Sequence, residues 1–280
     1  MKYPMNKKIF ITGGAGYVGV ALANYLSAEG YGVIATDIKP RPKELAKKIK
    51  FIKLDIVHDN FEKHLRNIDT VFHAAAVIDL QESWQNPKKY HDINVSGTVN
   101  LLEAARKAKV LRVVFSSSMS AYLPDNPYSL TKLIGEEYMK LYANCKDLET
   151  VSLRYFNFYG PKCRTSVVNN FILQTEQGKP LTVFGGNDRR FFLYIDDLVL
   201  ANIAAMKSKK VGKGEVIDIA GGKPYRIIDL AKMISKDVKV KKKLAKDNIA
   251  QIKPNLKLAK KLLNWTPKIK LEEGLEKISL

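Results

Sequence analysis

Cysteine is scarce. The 280 residues hold two, Cys145 and Cys163, too few for a disulfide framework and without the spacing of a metal site. With both thiols expected reduced, the default compartment is the cytoplasm. No apolar run is long enough to span a bilayer, so no membrane segment is expected. Met1 to Lys8 is short and polar and leads straight into an apolar run, unlike a secretory leader. Internal repeats and long structureless linkers are also missing. Acidic residues are in deficit, with 28 Asp and Glu against 47 Lys and Arg and a net charge of +19. Such a surplus raises the question of nucleic acid, but the densest basic stretch, Lys236 to Lys261 with Lys241-Lys242-Lys243, contains no aromatic residue to stack on bases. Nucleic acid is therefore not expected. The lysines read as solvated surface, with a part in steering anionic small substrates.

What is present is ordinary for a globular chain, 46% hydrophobic and 27% charged, and long enough for one large α/β domain with a smaller lobe. Short apolar runs at Lys8–Thr12, Tyr31–Asp37, Phe51–Leu54, Thr70–Ala74, Leu111–Ser116 and Thr150–Phe156 read as strands. Helical periodicity is expected over Tyr17–Ala28, Trp84–Ala108 and Tyr128–Asn144. Alternation of this kind implies a parallel sheet covered on both faces. After Gly160-Pro161 the rhythm breaks. The expected fold class is α/β, a Rossmann-type doubly wound parallel sheet over residues 1–160 with a smaller C-terminal substrate-binding lobe over 161–280. The chain has a candidate return to the sheet near 215–220, and a turn at Pro267 precedes a terminal helix.

The turn after the first strand carries Gly13, Gly16, Tyr17, Val18 and Gly19, a dinucleotide fingerprint in two overlapping registers. Glycines there let the backbone close on a pyrophosphate at the positive end of the following helix. Asp37, followed by Ile38, ends the second strand about 20 residues on, where an acid accepts hydrogen bonds from the adenosine ribose and repels a 2′-phosphate. NAD is the expected cofactor, with Lys39 and Arg41 keeping NADP as the alternative. Asp55-Ile56 suits the adenine or an ordinary turn. The small side chains of Ala74, Ala75 and Ala76 suit either a cofactor lying on the backbone or close helix packing.

Tyr128 and Lys132 stand four apart on one helix and share a face. A phenol is a poor base near neutrality, with an ordinary pKa of about 10, and a neighbouring ammonium plus a nicotinamide charge would bring it into range. The serines Ser116, Ser117 and Ser118 end the preceding strand, and a hydroxyl there can relay the proton.

With "TGGAGYVG", "VFHAAA", "NVSGTVNLLEAAR", "VFSSS", "YSLTK", "LRYFNFYGP", "RRFFLYIDD" and "WTPKIKLEEGL" in order, the chain resembles the extended short-chain dehydrogenase/reductases. Within them it is similar to the NAD-dependent epimerase/dehydratase family and to UDP-glucose 4-epimerase-like enzymes. The resemblance implies that Tyr128 is the catalytic base, that Lys132 holds the nicotinamide ribose, and that Ser118 is the relay, with Ser117 a near alternative. It places Asn94 in support of the active-site end of the sheet, and Tyr155, Phe156 and Asn157 against nicotinamide and substrate. Arg190 falls on the diphosphate, Asn169 or Asn170 and Thr182 to Phe184 on the nucleotide. On residue type alone, Phe184 and Tyr194 read first as packing residues.

The same likeness implies a nucleotide-sugar epimerase that passes through a 4-keto intermediate, with UDP-glucose and UDP-galactose the expected pair. It also implies a homodimer built on the helices Trp84–Ala108 and Tyr128–Asn144. Alternatives are a nucleotide-sugar reductase or dehydratase, another short-chain alcohol dehydrogenase, or a dinucleotide-binding regulator. Two departures stand out. Ser118 and Tyr128 are only ten positions apart, a shorter segment than the family's, and Phe191 follows Arg190 where an aspartate is usual.

Overall fold

The computed structural model describes residues 7–242 and 251–278. The polar start before Lys7, the part of the basic stretch from 243 to 250 and the last two residues of the terminal segment lie outside the described residues. Six strands follow the apolar runs: β1 (Lys8–Thr12), β2 (Gly32–Asp37), β3 (Lys50–Lys53), β4 (Thr70–His73), β5 (Arg112–Ser118) and β6 (Glu149–Tyr155). A seventh, Lys213–Ile219, returns to the same sheet and pairs with β6. The order is Lys213–Ile219, β6, β5, β4, β1, β2, β3, with every pair parallel. All carboxyl ends therefore reach one edge, and the order reverses between β1 and β4, the place where open α/β sheets bind ligands.

Valine, isoleucine and phenylalanine on both faces of β1, β4 and β5 require helices above and below. The helices Tyr17–Ala28 and Ile195–Lys207 cover one side, in a core holding Leu22, Leu26, Leu198 and Val199. Gly97–Lys107 and Pro127–Cys145 cover the other, around Leu101, Leu102, Phe115 and Met139. At the amino edge Arg112 is buried against Glu149, and its guanidinium also caps the end of Ile195–Lys207 by donating to the carbonyls of Ala205, Met206 and Ser208.

The helix expected over Trp84–Ala108 is corrected to four pieces. Leu80–Gln85 stops at Asn86, whose extended φ fits a residue before proline, and Pro87–His91 restarts with the proline where no N–H is needed. Asp92–Ser96 then winds as a π-helix before Gly97–Lys107 continues.

Beyond the sheet, Leu181–Phe184 pairs with Val238–Lys241, and Arg189–Phe191 with Pro224–Arg226. Asp197 fastens the terminal segment: its carboxylate accepts from the backbone N–H of Lys268 and Ile269 at 2.9 and 2.8 Å, and its carbonyl from the Trp265 indole. The terminal helix is Leu271–Glu276. Among the described residues no helix is long and apolar enough to cross a membrane.

Candidate active site

The glycine turn is built by close approach. Gly13 has φ +69°, and a Cβ there would fall 2.6 Å from the Ala74 carbonyl carbon and the Ala75 nitrogen. Gly19 lies so near the Gly13 carbonyl that a Cβ would stand 2.1 Å from its oxygen. Gly16 begins the helix Tyr17–Ala28 with no side-chain cap, which leaves first-turn N–H groups directed at the turn. Asp37 closes the cradle, its Oδ2 accepting from Ala15 N–H and its Oδ1 from Lys39 N–H, each at 3.0 Å. Each carboxylate oxygen keeps a second lone pair for a ribose hydroxyl. Arg41, in contrast, spends its guanidinium on the carbonyls of Leu45, Ala46 and Ile49 and does not serve a 2′-phosphate. These residues fit NAD.

Around the cradle, Ile38 is exposed, and Ala74, Ala75 and Ala76 are half-buried beside Gly13. Asp55 is tied into its own turn by His58 and Val57 N–H, and the His58 hydrogen bond leads the influences holding its carboxyl below the usual range. Ile56 packs against Gly97.

A buried chain, of which sequence reasoning named only Asn94, runs from this turn to the helix bearing Tyr128. Ala75 N–H donates to Thr12 Oγ1, which contacts His73 Nδ1 at 2.8 Å, and His73 Nε2 contacts Thr98 Oγ1 at 2.9 Å. Thr98 donates onward to the Asn94 carbonyl, so its oxygen accepts from His73, and the ring carries its proton on Nε2. Burial, aided by the Lys132 charge, pushes His73 down to about 3, so the ring is neutral. Asn94 sits in the π-helix, where its amide donates to Val77 O and Thr131 Oγ1 and accepts from Val77 N–H. The irregular winding thus lets one side chain bridge the end of β4 to the helix bearing Tyr128. The sequence signals were Asn94, which the resemblance placed at this end of the sheet, and the histidine inside "VFHAAA".

Strand alternation assigns the serines. β5 extends through Ser118, so Ser116 and Ser118 share one face and Ser117 takes the other. Ser117 Oγ donates to buried Glu136, which removes it as the relay. Ser118 is half-buried and accepts from Ser120 N–H and the Ser120 hydroxyl, and its hydroxyl near Tyr128 offsets part of the upward push that burial gives the phenol. Lys132, 4% exposed, donates from Nζ to the Ser116 carbonyl at 2.8 Å and lies over the Phe115 ring. Burial lowers its pKa to about 8. The ammonium is thus held at the end of β5 near Ser118.

The remaining candidates separate. Tyr155 is turned inward, its hydroxyl donating to Asn202 and paired with Ser116. Phe156 is buried edge-on to Phe191. Asn157 directs its amide at Met119 Sδ. On the helix Val167–Glu176, Asn170 is exposed, whereas Asn169 donates to Gly160 O and keeps a buried Oδ1 with no partner among the described residues. Thr182 is half-buried on Leu181–Phe184, and Arg190 lies on Arg189–Phe191. Tyr194 packs in the core. Phe184 does not: it is 59% exposed among the described residues.

The family description "NAD dependent epimerase/dehydratase family" matches residues 9–220. UDP-glucuronate 4-epimerase from Thermodesulfobacterium geofontis is 32% identical over 95% of this chain and 93% of its own. Among solved structures, UDP-glucuronic acid 4-epimerase from Bacillus cereus, in complex with UDP-glucuronic acid and NAD, superposes with a TM-score of 0.86 at 32% identity over 97% of both chains. UDP-glucose 4-epimerase from Thermotoga maritima, with UDP-glucose, gives 0.87 at 29% identity over 97% of both. This chain brings a glycine cradle at the β1/β4 switch point, Tyr128 and Lys132 on one helix face, and Ser118 at the end of β5 to the same edge of the sheet. The chain belongs to the NAD-dependent epimerase/dehydratase family and is an enzyme of the extended short-chain dehydrogenase/reductase type.

Proposed function

We propose that this chain is a UDP-sugar 4-epimerase acting between UDP-glucose and UDP-galactose. The observation that carries the reading is the grouping at the carboxyl edge of the sheet: Ser118 ends β5, Tyr128 and Lys132 share one helix with Lys132 bonded to the Ser116 carbonyl, and the glycine cradle lies at the same edge. Tyr128 Oη takes the proton of the sugar 4-hydroxyl, with Ser118 as the bridge, and later returns it. NAD, held by the glycine turn and Asp37, would supply the hydride acceptor and donor for sugar C4. Lys132 holds the nicotinamide ribose, and Asn94 fixes the helix that carries both groups. Gly13, Gly16, Tyr17, Val18, Gly19, Asp37, Ile38, Asp55, Ile56, Ala74 to Ala76, Ser116, Tyr155 and Phe156 form or support the cofactor site. Residues 161–280 contribute the nucleotide-sugar side through Asn170, Thr182, Phe184 and Arg190, joined by Asn157 from the end of β6.

The test is proton NMR of UDP-galactose, and separately of UDP-galacturonate, with the purified protein. The expected result is conversion of UDP-galactose to UDP-glucose without net NADH. Conversion of the uronate alone moves the enzyme to UDP-glucuronate chemistry, and net NADH turnover identifies a reductase or dehydrogenase.

We further propose that the protein acts in the cytoplasm as a homodimer. Trp84 (64% exposed), Leu130 (46%) and Leu141 (50%) put apolar surface on the helices Leu80–Gln85 and Pro127–Cys145. A groove of about 630 Å³ runs between them, lined by Trp84, Pro87, Pro127, Leu130 and Ile134. Sedimentation equilibrium is expected to give twice the 31.5 kDa chain mass. Leu130→Glu with Leu141→Glu is expected to give the monomer, and a wild-type monomer would refute the assembly.

A further inference from the structure

A row of polar side chains crosses three strands behind Ser118 and has no part in the chemistry above. The register sets Ser117 of β5 beside Arg154 of β6, and Arg154 beside Asp218 of the returning strand. Glu136, fully buried two turns beyond Tyr128 on the same helix, accepts from Ser117 Oγ at 2.5 Å and from Arg154 Nε and Nη2 at 2.8 and 2.6 Å. The Arg154 guanidinium lies 4.1 Å from the centre of the Tyr122 ring. Tyr122 Oη donates to Asp218 Oδ2 at 2.8 Å, and the same oxygen accepts from Asn255 N–H at 2.8 Å.

Tyr122 matters because of where its turn begins. Met119–Tyr122 is a single 3₁₀ turn whose N-cap is Ser118, with Ser118 Oγ accepting from Ser120 N–H at 3.2 Å. One end of the turn is the relay serine, and the other is the ring held between Arg154 and Asp218. Between them Met119 is buried with Phe156 and Ala220 and takes the Asn157 amide on its sulfur. The chain from Leu123 to Asn126 is partly or largely exposed and then enters the helix of Tyr128. A segment this short has few contacts of its own, so its anchor decides where the serine hydroxyl stands.

We propose that Tyr122 and Asp218 are positioning residues for Ser118, pinning the short segment between the serine and Tyr128 and coupling it to the C-terminal segment that arrives at Asn255. The pin deepens the epimerase reading, and its turnover arm rests on that reading. The network spans β5, β6, the returning strand and the Tyr128 helix, so a shift at Asp218 is felt at the relay hydroxyl.

The experiment compares Tyr122→Phe, Asp218→Asn and Asp218→Ala in the NAD-loaded enzyme. Phenylalanine keeps the ring over Arg154 and removes only the donor. Asparagine keeps an acceptor for both Tyr122 and Asn255, so it is the conservative rescue. For Tyr122→Phe and Asp218→Ala, kcat is expected to fall about tenfold, from a displacement of the hydroxyl well under a full bond length. KM should change by less than roughly threefold, with bound NAD unchanged. Asp218→Asn should keep more than about half of wild-type kcat, and the Tyr122→Phe/Asp218→Ala double variant should be no slower than the worse single one. Additive losses, loss of NAD, or an unchanged kcat in Tyr122→Phe overturn the pin.

A second arm does not depend on the substrate. Ultraviolet titration of each protein minus its Tyr128→Phe counterpart reads the Tyr128 phenol directly. Its pKa is expected to rise by about half a unit or more in Tyr122→Phe, as the serine hydrogen bond weakens, and to stay at the wild-type value in Asp218→Asn. No rise overturns the pin. A wild-type enzyme that turns over neither UDP-sugar overturns the substrate assignment, and the titration alone then decides the pin.

Discussion

Tyr128→Phe is expected to reduce epimerisation by about 10²- to 10⁴-fold, the range for removal of a positioned acid–base group, with fold and NAD content retained. The substitution deletes one oxygen and leaves the ring, so no cavity opens. The nearby Ser118 hydroxyl keeps its own hydrogen bonds, accepting from Ser120 N–H and from the Ser120 hydroxyl. The stability cost is therefore at most that of one hydrogen bond, about 0.5–1.5 kcal/mol. Burial pushes the phenol upward and the Ser118 hydrogen bond brings it back, so Ser118→Ala should raise the phenol pKa and slow the reaction by a smaller factor than Tyr128→Phe. Rates from NMR time courses, NAD content from the absorbance of released cofactor, and a thermal melt together check the prediction. Retention of more than about a tenth of the wild-type rate would remove Tyr128 as the base.

How much of this was legible beforehand depended on whether a feature was local. The strands of the sheet were readable because burial on both faces leaves continuous apolar runs, as at Ile9-Phe10-Ile11 and Val113-Val114-Phe115. The glycine turn was readable because close backbone approach at Gly13 and Gly19 admits no side chain. Tyr128 and Lys132 were readable from helical spacing. The choice between Ser117 and Ser118 was not, because it needs the strand to be known to run through Ser118.

The long helix at Trp84–Ala108 was misjudged although its signal was visible. Asn86-Pro87 breaks it, but the π-helix at Asp92–Ser96 has no local signature and follows from Asn94 satisfying Val77 and Thr131, which other elements bring to it. Distant pairings were out of reach for the same reason. Tyr122 and Asp218 are separated by 96 positions, and His73 looks like any strand residue until Thr12 and Thr98 close on its ring. Asn169 and Asn170 differ only in which way the helix Val167–Glu176 turns, with Val168 and Phe171 setting the buried side.

Lys132→Met is expected to make the protein more stable and nearly inactive. The ammonium is 4% exposed, and burial lowers its pKa from 10.5 to about 8, with Glu136 only partly offsetting the shift. At neutral pH the group is still mostly charged, so folding bears the desolvation of that charge. Protons bind less tightly to the folded form than to the unfolded one, so wild-type stability rises with pH between about 8 and 10.5 and the penalty is complete below that window. Methionine fills similar volume without a charge.

The gross gain below pH 8 is at most about 3 kcal/mol. Loss of the hydrogen bond to the Ser116 carbonyl returns about 1–2 kcal/mol of it. A net gain of about 1–2 kcal/mol is therefore expected near pH 7 in cofactor-free protein, shrinking as pH climbs toward 10.5. Denaturant melts at pH 7 and pH 10 read both the size and the sign. Turnover should fall by about 10²-fold or more, because the ribose loses its anchor and the site its fixed positive charge. Such opposite movements are what a charge kept for function at the expense of stability requires. A variant less stable than wild type at pH 7, with a gap that does not change by pH 10, would instead make Lys132 a structural residue whose hydrogen bond to β5 outweighs its burial.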